Sequence, residues 1–144
     1  MDDSERLESL IGIIDDINSM EGTHIILVEG VNDVSSLEAS GVKGTFYCVQ
    51  SGGGPVKAAE HVWKAGRSAM IMTDWDRRGD SLAESLSENL SSLDVRFDRD
   101  LRRRMAYVCR PFCKDVESVH SVLALLESRT STDKINTRAR TFRD

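Results

Sequence analysis

His24-Ile25-Ile26-Leu27-Val28-Glu29-Gly30 is the stretch on which the fold turns. Ile25 to Val28 are consecutive apolar residues, mostly β-branched, where a half-buried strand would alternate. An unbroken run of this kind suits a strand covered on both faces, as in a parallel sheet between helical layers. Similar runs at Thr45-Phe46-Tyr47-Cys48-Val49, Ser68-Ala69-Met70-Ile71-Met72 and Met105-Ala106-Tyr107-Val108-Cys109 predict three more strands. Between the runs the period is helical. Leu7, Leu10, Ile11, Ile14 and Ile17 line one face of a helix over 4–20. A short helix is predicted over Val31–Ala39. Pro55 suits the first turn of another, which carries Val56, Ala59 and Trp63 inward and stops at Gly66. A polar helix follows over about 80–90, and Val116, Val119, Leu123 and Leu126 mark the last. Strands alternating with helices predict an α/β architecture: a four-stranded, mainly parallel sheet flanked by helices, with an extra N-terminal amphipathic helix. The expected division is an N-terminal helix over 1–22, a catalytic-type domain over 23–128 and a polar, basic, frayed tail over 129–144.

A length of 144 residues gives room for one domain with its own core. Ile25–Val28 is far too short to span a bilayer, and Met-Asp-Asp-Ser-Glu is the opposite of a basic leader, so no membrane and a cytoplasmic location are expected. Cys48, Cys109 and Cys113 are an odd set with no second ligand pair, which reads as buried thiols rather than a disulfide framework or zinc site. The net charge of −5 does not advertise a nucleic-acid binder. Its distribution says more: residues 96–114 hold seven bases, among them Arg102, Arg103 and Arg104, against two acids. Such a band on an acidic chain is either a solvated helix face or a phosphate-contacting surface.

In a parallel α/β sheet, chemistry sits beyond the carboxyl ends of the strands. The first strand ends at Glu29-Gly30. The third ends at Asp74, with Asp76 two residues on and Gly79 closing the turn. Carboxylates meeting at one sheet edge repel one another and raise each other's pKa, a penalty that a hard divalent cation removes. Magnesium suits one or two carboxylates with water and substrate phosphate. Taken singly, Asp76 or Asp80 is equally well read as a helix cap. Ser51-Gly52-Gly53-Gly54 before a helix is either an anion cradle or a turn needing positive φ. Trp75 is placed to stack on a base or to pack on a neighbouring helix. Arg77 and Arg78 follow the acidic pair and would bind a phosphate or balance nearby acids.

Val28-Glu29-Gly30-Val31-Asn32-Asp33-Val34 and Thr73-Asp74-Trp75-Asp76-Arg77-Arg78-Gly79-Asp80 resemble the two signature motifs of the Toprim domain. That catalytic module is shared by topoisomerases, bacterial-type primases, OLD-family nucleases and ribosomal-RNA maturation nucleases. The likeness covers roughly residues 23–128 and is closest to the small stand-alone Toprim proteins. It implies a Rossmann-like Toprim fold, with Glu29 as general acid/base or metal-associated carboxylate and Asp74 and Asp76 as ligands of Mg2+ or Mn2+. Asp33 matches a frequent acidic position, Asp80 stands where many members carry Glu, and Gly30 and Gly79 would permit tight turns. Within 144 residues neither a separate domain for a topoisomerase tyrosine nor a primase's extra modules are expected. A metal-dependent phosphodiester hydrolase acting on DNA or RNA is therefore expected. The alternative is a non-catalytic nucleic-acid-binding or adaptor subunit, as a homo-oligomer or with a processing-complex partner.

Overall fold

A computed structural model describes the backbone of residues 1–143 and the side chains of residues 1–131. The apolar run forms β1, His24–Val28, an inner strand. It pairs in parallel with β2, Thr45–Cys48, and with β3, Ser68–Ile71. β3 pairs in parallel with the two-residue β4, Phe97–Asp98, giving the order β2-β1-β3-β4. The expectation of a mainly parallel sheet is met by one that is wholly parallel.

Successive residues of β1 and β3 serve different cores, which is why these strands read as unbroken apolar runs. Ile26, Val28, Met70 and Met72 pack on one face against α1 (Asp3–Asn18), α5 (Asp100–Cys109) and α6 (Val119–Arg143). Ile25, Leu27, Ala69 and Ile71 pack on the other against α3 (Pro55–Ala65) and α4 (Arg77–Ser92). The short α2, Val31–Ala39, directly follows the Glu29-Gly30 turn and adds Leu37 to the first core. Among the described residues no helix is long and apolar enough to cross a membrane.

Three expectations need correction. Met105–Cys109 is helix, not strand: Leu101, Arg102, Met105, Ala106, Val108 and Cys109 are buried while Tyr107 is exposed, a helical period hidden in a short apolar run. The fourth strand lies just upstream, where charged Arg96 and Asp98 flank Phe97 and mask the signal. On α3 the inward face is Ala58, Ala59 and Val62, whereas Val56 and Trp63 are more than half exposed. Small residues at the contact let α3 come close to the sheet, and the larger apolar ones fall outside that narrow strip. In α1 the buried face takes Ile13 with Leu10, Ile14 and Ile17, leaving Ile11 at 45% exposure. The expected frayed tail, 129–144, falls mostly outside the residues whose side chains are described; α6 is continuous to Arg143.

Candidate metal centre

Glu29 and Asp74 meet because β1 and β3 are neighbours in register, with Leu27 opposite Ile71. Beyond the last pair, Met72 N–H still donates to Leu27 O at 2.9 Å. Two residues later Asp74 N–H donates to Glu29 Oε2 at 2.8 Å, so a backbone amide of one motif holds the carboxylate of the other. Asp74 Oδ1 accepts from Val116 N–H at 2.8 Å. Asp76 caps α4 by accepting from Gly79 N–H at 2.7 Å. The capping reading of Asp76 is therefore realised, and it engages one of the two carboxylate oxygens.

Burial raises the Asp74 carboxyl to about 7, helped by hydrogen-bond proximity to Glu29 and by the charges of Glu29 and Asp76, with the Val116 amide pulling the other way. Asp33 is buried and accepts from Gly30 N–H at 3.0 Å. Burial raises its pKa against the pull of that amide, and the charges of Asp74 and Glu117 add to the rise. Negative charge is thus concentrated at one end of the sheet.

The loop carrying Asp74 and Asp76 is fixed from behind by Arg102. Its Nε donates to Thr73 O at 3.0 Å, and its Nη2 donates to Asp74 O and to Asp80 Oδ1, both at 2.6 Å. Arg102 is 8% exposed, so it is a clamp on the acidic loop rather than a phosphate contact. It lay within the basic band in sequence, and only the helical register of α5 turns it inward. Asp80 is its ion-pair partner. Gly79 is required by close approach: a Cβ there would stand 1.8 Å from Asp74 O. Gly30, by contrast, is extended at φ −150° and a Cβ there would meet only Gln50 Oε1 at 3.9 Å, so the turn after β1 does not depend on glycine.

Trp75 is 4% exposed, donating from Nε1 to Cys113 O and from its backbone N to Lys114 O, so it packs and does not stack on a base. In the Ser51–Gly54 turn the Gly52 and Gly54 amides donate to Cys48 O and Val49 O, and Tyr47 O–H donates to Gly52 O. Those amides are used within the turn, which favours the turn reading over an anion cradle. Arg77 and Arg78 are exposed on the first turn of α4, with no ion pair among the described residues. Arg103 pairs with Asp100, and Arg104 with Asp16 at 2.7 Å. Sequence reading put Val116 on the last helix and gave its segment no part in the site; Val116–Ser118 is a separate 3-10 turn, whose Val116 amide holds Asp74 and whose Glu117 carboxylate acts on Asp33.

The donor chemistry fits a hard divalent cation. Glu29, Asp74 and Asp76 each have one oxygen held by an amide. The Glu29 and Asp74 carboxyls lie within reach of each other, which two ionised carboxylates tolerate only with a shared proton or a cation. Among the described residues no three acidic, His or Cys side chains already stand at cation-holding distances. The fit is that of an ion held by these few carboxylates with water completing its shell, not by a closed protein cage.

A family model described as Toprim-like matches residues 26–120. A UPF0292 protein of Methanosarcina acetivorans is 32% identical over 126 residues, covering 88% of this chain and 85% of that protein. A UPF0292 protein of Methanocaldococcus jannaschii is 31% identical, covering 81% of this chain and 91% of the relative. A solved structure of a protein from Aquifex aeolicus superposes with a TM-score of 0.63 at 19% identity, covering 76% of this chain and 96% of that one, a likeness of fold.

Proposed function

The chain belongs to the Toprim-like family, and from that premise we propose that it is a magnesium-dependent phosphodiester hydrolase acting on nucleic acid. The observation that carries this reading is the 2.8 Å hydrogen bond from the Asp74 amide to Glu29 Oε2, which brings the carboxylates of both motifs to one sheet edge, where burial and the neighbouring acids raise the Asp74 carboxyl. Each acid has one oxygen engaged by an amide, but their mutual repulsion is a cost to the fold that a divalent cation relieves.

Glu29, Asp74 and Asp76 would hold the ion, which supplies charge neutralisation and a more acidic bound water. The remaining work falls to the chain's own groups. Glu29 is fixed at the crevice by the Asp74 amide and is placed to take or give a proton through its carboxylate. Arg77 and Arg78, on the first turn of α4, would bind a substrate phosphate beside the positive end of that helix. Arg102 and Gly79 act earlier in the chain of causes by fixing the loop on which both aspartates stand.

A non-catalytic nucleic-acid-binding or adaptor role is the second reading. One observation favours it: no three ligands stand pre-assembled among the described residues. A cleavage assay separates the two, using single-stranded and structured DNA and RNA with Mg2+, Mn2+ or EDTA. The proposal expects cleavage with either ion, none in EDTA, and a loss of about a hundredfold or more in Glu29→Gln with binding retained. No cleavage of any substrate by metal-loaded protein that still binds nucleic acid would favour the adaptor.

A further inference from the structure

Behind the acidic loop, between α1 and α5, lies a cleft of about 590 Å3 that the metal centre does not use. Trp75 and Arg102, both anchored to the loop, contribute to its lining, so it adjoins the candidate centre. Arg103 and Tyr107 on α5 and Arg110 at its C-terminal cap stand at i, i+4 and i+7, on one face, and all three are exposed. They span about 10 Å of helix. Tyr107 is 69% exposed, a large aromatic side chain with no ring partner among the described residues. Arg110 has no ion pair among them, and the exposed Arg103–Asp100 pair is of a kind worth little in water.

The opposite wall contains Gly12, well inside α1. Glycine within a helix costs about 0.5–1 kcal/mol relative to alanine. Packing does not demand it here, because a Cβ at Gly12 would meet nothing within 4 Å. Gly12 therefore leaves this wall of the cleft open at the helix backbone.

We propose that this cleft binds a single-stranded segment of nucleic acid, one base stacked on Tyr107 and the flanking phosphates on Arg103 and Arg110. An acidic peptide would use the arginines but leave the aromatic face unexplained; a nucleotide strand uses both. The inference rests on the hydrolase reading in that the cleft would guide a strand towards the metal centre, but its test does not depend on cleavage.

The test is fluorescence anisotropy of labelled 12-nucleotide oligo-dT and oligo-rU, measured in EDTA across a range of salt. Wild type should bind with a strong salt dependence. Tyr107→Ala should weaken binding about tenfold. Arg110→Ala should reduce the log–log salt slope by about 0.7, the value for one single-strand phosphate contact. Gly12→Leu should fold at least as stably as wild type and bind poorly. Unchanged binding in folded Tyr107→Ala and Gly12→Leu would overturn the cleft while leaving the hydrolase to its cleavage assay. Tyr107-dependent binding without any cleavage would support the cleft and defeat only the hydrolase. Self-association lost in Tyr107→Ala, seen by sedimentation, with oligonucleotide binding intact would overturn it in favour of an interface between two copies.

Discussion

Burial, Glu29 and Asp76 raise the Asp74 carboxyl from 3.8 to about 7, so its ionisation opposes folding of the metal-free protein. The folded state holds that proton more tightly than the unfolded chain does. This contribution to stability is therefore complete below pH 4 and is lost as pH rises towards 7. Asp74→Asn keeps an oxygen for the Val116 amide and removes the charge. In EDTA at pH 8 it should be more stable than wild type by about 1 kcal/mol, because solvent screens the half-exposed charge, and no more stable at pH 4. Urea denaturation at the two pH values checks the sign. Arg102→Lys should be costly despite keeping the charge, because a lysine cannot serve Thr73 O, Asp74 O and Asp80 in the same fork. A loss of about 2–4 kcal/mol is expected by the same measurement. Gly79→Ala should disturb the loop itself, since a Cβ would overlap Asp74 O. Its cation affinity should fall even under conditions where it remains folded. At this scale Glu29 and Asp74 were legible because strand ends announce themselves, whereas the clamp role of Arg102 depended on a helical register that a five-residue apolar run concealed.

At the scale of elements, the alternation of strand and helix was legible because β1 and β3 are buried on both faces and each helix carries a face of its own. The errors arose where one signal served two structures. Met105–Cys109 satisfies a short-strand pattern and one turn and a half of a buried helix equally well, and length alone did not decide between them. β4 has only two residues and is held by pairing to β3, a tertiary contact with no local signature. Helix α1 was expected as an extra amphipathic helix, and its Leu10, Ile13, Ile14 and Ile17 lie in the same core as β1, β3, α5 and α6. Ile13→Ala should therefore cost about 2–4 kcal/mol and shift one cooperative transition, as a side chain in a shared core does. A separate low-temperature melt of α1 in calorimetry would contradict that placement.

For the whole molecule, the acidic net charge of −5 and the basic band are compatible because they occupy different places. Carboxylates gather at the carboxyl ends of β1 and β3, while Arg77 and Arg78 stand on the first turn of α4 and Arg103 and Arg110 line the cleft beside α5. The sequence order of these residues foretold the acidic edge, but which arginines face outward followed only from packing. The central claim is that this edge holds a divalent cation. Its most direct test is electron paramagnetic resonance of free Mn2+ titrated with protein at pH 8, comparing wild type with Asp74→Asn, Asp76→Asn. The account predicts that wild type depletes the free Mn2+ signal saturably, that Mg2+ competes, and that the double variant leaves the signal unchanged. Equal depletion by both proteins, or none by wild type, would contradict it.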